Sequence, residues 1–195
     1  MKRIIIFIVL ILFSALLFAE GIDSSGEMFF LASSLPEAKL GYTHTFYFPL
    51  LQGDSVLTQG NNLKLALTAE ATPISVNGIF MAVLTPLAVL ELTAGGRLGA
   101  GWPLDAMNVT GTGLNLSDEN GNENYDGSPF DALLWKGFIG GTFQFDFEAI
   151  FPGEWNHVVV QSYHELSYHG NTKAKAGEAW YYEADDGENM NGLNY

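Results

Sequence analysis

The sequence predicts an all-β protein of antiparallel, up-and-down strands, and three observations carry that expectation. Apolar and polar residues alternate with period two over several long stretches, because successive side chains of an extended chain point to opposite faces. Pro- and Gly-containing pairs and Asn/Gly-rich segments punctuate those stretches as turns and loops. The one long unbroken apolar run sits at the N-terminus, where it reads as a leader and not as part of the fold.

The chain has 195 residues, enough for one domain of the common size of about 100–200 residues. Its first twenty, MKRIIIFIVLILFSALLFAE, place Lys2 and Arg3 before an apolar run that Ser14 alone interrupts as far as Ala19. That is the layout of a secretory signal peptide, residues 1–19, too short for a spanning helix of about 20 apolar residues. The barrel domain expected after it covers 20–195. With no cysteine, neither a lipid-anchored N-terminus nor a disulfide framework is available. Without Lys2 and Arg3, six bases face 22 acids, a formal charge of −16. Such a surplus repels phosphates, so nucleic acid is not an expected partner.

Along the chain, Leu40, Tyr42, Phe46, Phe48 and Leu50 oppose Lys39, Gly41, Thr43, Thr45 and Tyr47, with His44 the polar intruder on the apolar side. Leu63, Leu65, Leu67, Ala69 and Ala71 oppose Lys64, Ala66, Thr68 and Glu70. A shorter strand is expected over 74–84. It has two readings, a full strand after a very tight turn at Pro73 or one bent at VNGI that stops short of spanning. In 86–102, Ala88, Leu90, Leu92, Ala94, Gly96, Leu98, Ala100 and Trp102 share one side. In 131–151, the row from Leu133 and Trp135 through Ile139 to Phe143, Phe145, Phe147 and Phe151 opposes Lys136, Thr142, Gln144, Asp146 and Glu148. A last strand, less regular, is expected over 154–169. Two acidic, Asn- and Gly-rich segments, about 103–130 and 170–192, read as long solvated loops.

Length decides the environment. Strands of soluble domains usually run about 3–10 residues, whereas 86–102 and 131–151 alternate for about 15 and 19. At about 3.3 Å per residue and a tilt near 40°, such strands overshoot an apolar band about 25 Å tall. A closed barrel also satisfies every backbone group without water. Thr85-Pro86 and Pro152–Glu154 are expected as tight turns on the inner side of the membrane, with the acidic loops outside. Trp102 and Trp135 then flank one interface, Phe151 and Trp155 the other. Glu91, Arg97, Lys136, Asp146 and Glu148 face the lumen, where charge pairing is the ordinary way to bury them.

The leader, the TP turns followed by long Gly-rich alternating strands, and the acidic loops together resemble a bacterial outer-membrane β-barrel protein of the spirochaete type. The resemblance covers most of the mature chain and implies an antiparallel transmembrane barrel in contact with outer-membrane lipid and inserted by the barrel-assembly machinery. It carries over no catalytic residue. Such barrels end in a strand closed by an aromatic residue; Tyr195 fits, but DDGENMNGLN before it reads as loop. Six or seven strands are countable against a usual minimum of about eight, as in a barrel incomplete at its C-terminus.

No chemistry stands out. His164-Glu165-Leu166-Ser167-Tyr168-His169 has one residue too many for the H-E-x-x-H zinc motif, and on a strand its two histidines point to opposite faces. The loop SDENGNENYDG lacks the sixth-position Gly of a calcium loop. His44, His157, Glu165, Ser162 and Ser167 have no spacing that makes a hydrolase site. No enzyme activity, cofactor or metal is therefore expected, and the leading expectation is a structural or porin-like barrel. The alternative is a secreted β-sandwich binding module or adhesin, whose apolar rows would meet each other instead of lipid. The exported protein should begin at Glu20, and Ala19→Arg should leave the leader attached; N-terminal sequencing of the membrane-fraction protein checks both.

Overall fold

The computed structural model describes residues 22–32, 38–104, 109–110, 116–117, 123–124, 129–130, 132–149, 151, 153, 158–180 and 189–195. The leader 1–19 and Trp155 lie outside the described residues. Long strands form β1 (Asp23–Ala32), β2 (Ala38–Pro49), β3 (Asn62–Ala71), β4 (Ser75–Leu87) and β5 (Leu90–Gly101). Four two-residue strands follow: β6 (Pro103–Leu104), β7 (Val109–Thr110), β8 (Leu116–Ser117) and β9 (Glu123–Asn124). Then come β10 (Leu134–Asp146), a 3₁₀ turn at Phe147–Ala149, and β11 (Val159–Asn171). The short β12 (Ala179–Trp180), β13 (Asn189–Met190) and β14 (Gly192–Asn194) finish the chain.

Eight of these make one antiparallel sheet in the order β1-β2-β3-β4-β5-β10-β11-β14, up-and-down throughout, so the all-β antiparallel expectation holds. Among the described residues no ladder joins β1 to β14, and the sheet is open. The two longest connections, 102–133 and 172–191, leave from one end of the sheet, which is called the loop end below. The other, turn end carries the connections 50–61, 88–89 and 147–158.

Several boundaries differ from expectation. The strand count is eight because two strands lack clean alternation. β1 mixes Glu27, Phe29 and Leu31 on one side with Met28 and Phe30 on the other. β14 is too short to show a period. Thr85-Pro86 is not the turn: both residues lie inside β4, and the chain reverses at Ala88-Val89. Pro86 fits there because the β4–β5 register shifts between Leu84 and Leu87, so its missing N–H breaks no regular ladder bond. The choice left open at Pro73 resolves toward a full strand. β4 pairs along its length with β3 and β5, after a turn closed by Thr72 N–H to Ser75 O at 2.9 Å and by the Thr72 and Ser75 hydroxyls at 2.8 Å. The strand expected to reach 151 stops at Asp146, where the carboxylate accepts the Glu148 N–H at 2.9 Å and opens the 3₁₀ turn.

The two faces of the sheet are inverted relative to a water-soluble fold. Along β5, Leu92 and Leu98 are exposed while Glu91 and Arg97, the residues just before each of them, are half-buried. The same holds for Ile139 (60 %) beside Lys136, and for Leu166 beside Glu165. Phe30 is 68 % exposed, whereas Ser75 and Asn77 on the polar face are at 0 % and 5 %. Phe46 is the exception on the apolar face, buried edge-on against the His44 ring at 4.6 Å.

Glycine lets polar-face rings lie flat on neighbouring strands. Phe138 pairs with Gly95, and a Cβ there would lie 2.6 Å from the Phe138 Cζ and 2.5 Å from the Phe80 carbonyl oxygen. Phe29 covers Gly41 in the same way across β1 and β2. This is the aromatic-over-glycine device that fixes register in curved sheets. Gly95→Val should cost about 1–3 kcal/mol through overpacking. Gly78, with open space around its Cα, should accept alanine within about 0.5 kcal/mol. Urea unfolding midpoints of the refolded protein compare the two.

Candidate functional site

The polar face is the candidate site, because the register gathers there ion pairs found among the described residues. Lys64 on β3 reaches over β4 to Glu91 on β5 at 3.9 Å, and Thr85 Oγ1 donates to the same carboxylate at 3.5 Å. Lys39 pairs with Glu70 at 3.7 Å, and the Thr43 and Thr68 hydroxyls meet at 2.7 Å. Lys136 donates to Glu165 at 2.7 Å, and Tyr163 donates to the other oxygen of that carboxylate at 2.6 Å. Arg97 Nε donates to Asn77 Oδ1 at 3.0 Å. Apart from the Tyr163–Glu165 bond, which lies within β11, these links run between neighbouring or next-neighbouring strands and tie the sheet across its polar side.

The expected lumen charges divide accordingly. Glu91, Arg97 and Lys136 share the polar face, with Lys136 directly opposite Arg97; Glu91 pairs with Lys64, Arg97 donates to Asn77 and Lys136 pairs with Glu165. Asp146 and Glu148 sit at the turn end, the far end of β10 from Lys136, where Asp146 caps the 3₁₀ turn. Of the aromatics, Trp102 packs on Phe130 at 5.3 Å and Trp135 stacks on Tyr168 at 5.2 Å and 14°, both toward the loop end. Phe151 lies at the turn end and is 61 % exposed. His164 points to the apolar face, opposite Gly141, and His169 to the polar face, opposite Lys136. The alternation of HELSYH thus separates its two histidines.

Of the segment 170–192 expected as a solvated loop, the described residues 172–180 and 189–191 fold back instead on the loop end. Trp180 is 4 % exposed and packs with Leu134 and Ala174. Asn191 staples it. Its Oδ1 accepts the Asn171 N–H at 2.7 Å and the Trp180 indole N–H at 3.0 Å, and its Nδ2 donates to the Asn171 and Ala174 carbonyls, each at 3.2 Å. The Thr172 N–H donating to the Leu133 carbonyl, and the Leu133 N–H donating to the Thr172 hydroxyl, each at 3.0 Å, anchor the base of the same segment. The only sequence signal for this closure was a tryptophan in an otherwise acidic stretch. A buried indole needs a hydrogen-bond acceptor, and Asn191 supplies one.

Asn191→Asp keeps both accepted bonds but turns the two donated ones into carboxylate against carbonyl. It should loosen 172–191 by about 1–3 kcal/mol, seen as faster proteolytic cleavage there with the eight-stranded sheet intact by circular dichroism. Compared with known proteins, the chain matches no family model, no curated protein and no solved structure.

Proposed function

We propose that this protein is an integral outer-membrane β-barrel with a structural role, its apolar face against lipid and its polar face lining a filled lumen. The observation that carries the reading is the inverted exposure: half-buried charges alternate with exposed Leu, Ile and Phe along the same strands. Fully burying such a side chain is worth about 1.5–3 kcal/mol. Summed over the apolar row, even at half that value, leaving it in water would forfeit more than the roughly 5–15 kcal/mol by which a domain is stable. Hydrocarbon removes that penalty.

Closure of the open sheet belongs to the proposal. With eight strands, β1 and β14 run in opposite directions, as the joining pair of an up-and-down barrel must. An eight-stranded cylinder has an interior just wide enough to be filled by side chains. Phe29, Phe138 and the Lys64–Glu91 and Lys136–Glu165 pairs supply that filling. Trp102 and Trp135 would sit at one interface and Phe151 at the other, the girdle arrangement of such barrels. Lipid and the cell's barrel-assembly machinery are the partners this reading implies.

Porin-like passage is the second reading, favoured by the partial exposure of Lys136 and Glu91, whose side chains remain 39 % and 45 % accessible. The sandwich or adhesin alternative needs a second long-stranded sheet over the apolar face, and none lies among the described residues.

The protein should remain in the outer-membrane pellet after carbonate washing and require detergent for release; release into buffer would overturn the membrane reading. In planar bilayers the structural version gives no discrete conductance steps, and reproducible steps would replace it with the porin-like one.

A further inference from the structure

At the turn end, the connection 50–61 between β2 and β3 is a folded unit that leaves its apolar side chains outside. Leu50, Leu51, Val56 and Leu57 are all exposed, Val56 at 77 %. Its shape is fixed from within. Asn61, 1 % exposed, donates through Nδ2 to the Leu51 carbonyl at 2.8 Å and to the Pro86 carbonyl at 2.6 Å. The Ser55 carbonyl accepts the Thr58 and Gln59 N–H groups, each at 2.8 Å, and closes the turn that carries Val56 and Leu57. Leu51, whose carbonyl Asn61 grips, sits at a φ of 59°, a left-handed conformation that bulky side chains rarely adopt. Strain of this kind persists only where the surroundings over-determine it, and it clusters at binding sites.

The loop adjoins the apolar face of the sheet. Leu50 follows Phe46 and Phe48 at the end of the apolar row of β2. The Ala88 N–H donates to the Leu57 carbonyl at 2.8 Å, which ties the loop to the β4–β5 hairpin beside Leu87. Leu87 pairs with Leu90 and Leu90 with Phe143, and both Leu87 and Phe143 are exposed. Phe147, Phe151 and Val158, also exposed, lie on the connection after β10 at the same end. Charge narrows the partner. Asp54 is the one ionisable residue between 50 and 61, and the loop has no base with which to grip an anionic headgroup or an acidic protein. Contiguous apolar exposure marks a surface for protein or membrane, and this patch borders the rows assigned above to lipid.

We propose that loop 50–61 is a membrane foot: Leu51, Val56 and Leu57 dip into the lipid interface at the turn end, by apolar burial and independently of lipid charge. The inference deepens the outer-membrane reading and rests on it, since it extends the lipid contact from the strands to a connection between them. Interfacial binding of this kind grows with the apolar area buried. The pinned backbone spares the ordering cost that a free loop meets on insertion.

The chain has no cysteine, so one introduced cysteine at a time can carry an environment-sensitive fluorophore. Val56→Cys reports the loop, and Ile139→Cys, at the middle of β10, reports the apolar face of the sheet. The full folded protein is reconstituted in phosphatidylcholine vesicles whose lipids carry a nitroxide either near the headgroup or deep in the acyl chain. The Val56 label should show blue-shifted emission and lose more of it to the shallow nitroxide, and the Ile139 label should lose more to the deep one. Replacing part of the phosphatidylcholine by phosphatidylglycerol should leave the Val56 signal unchanged. A Val56 label that stays in water while the Ile139 label is quenched overturns the foot, keeps the strands in lipid and assigns the patch to a protein partner. Water at both positions overturns the membrane reading and the foot with it. A Val56 signal that needs phosphatidylglycerol also overturns the proposal, because the contact is then electrostatic.

Discussion

Everything in this fold depends on one constraint: the period-two register that assigns each side chain of seven long strands to one face of the sheet or the other. A slip of one residue in any ladder would exchange the rows. The pairings leave no such ambiguity in the centre of the sheet, where β3, β4, β5 and β10 are each bonded on both sides. The glycine-aromatic pairs reinforce it, since Phe138 lies over Gly95 and Phe29 over Gly41, where a Cβ would collide with either ring. The register therefore determines both which residues are exposed and which charges can meet.

The polar face is organised by reach as much as by adjacency. Lys64 passes over β4 to find Glu91, and Lys136 runs diagonally to Glu165 and bypasses the Arg97 directly beside it. Long, flexible ammonium stems permit this, and each pair holds two or three strands together. Ion pairs that remain partly accessible contribute modestly, roughly 0–1 kcal/mol each. Their main effect is to give charged groups partners on a face that water reaches poorly. At the loop end this cross-linking passes from charges to amides, with Asn191 satisfying four polar groups at once.

The fold was legible where alternation was clean and illegible where it was not. The rows in 62–71, 90–101 and 134–146 are regular enough that the faces assigned from sequence are the faces observed. β1 escaped because Phe29 and Leu31 put apolar residues on its polar side; one of them fills space over Gly41, a reason that exists only in three dimensions. Pro86 misled because proline is a turn signal on its own and becomes a strand residue only at an irregularity in pairing. Of the site, Glu91, Arg97 and Lys136 were visible as members of one face, but their partners were not, since period two says nothing about diagonal reach. His169 and Trp180 meet across residues whose sequence pattern reads as a solvated loop.

The aromatic rings seated on glycines also divide the chain by how freely it can change. On the apolar face a side chain such as Ile139 or Leu98 abuts no fixed neighbour from a second layer, so any residue of similar greasiness serves, whatever its shape. Where a ring lies over a glycine, as Phe138 does over Gly95 and, on the apolar face, Trp135 over Gly170, an exchange must be matched by a second exchange across the strand. Sequence drift in this architecture is accordingly loose along the bare stretches of the apolar face and correlated in pairs at the ring-covered glycines.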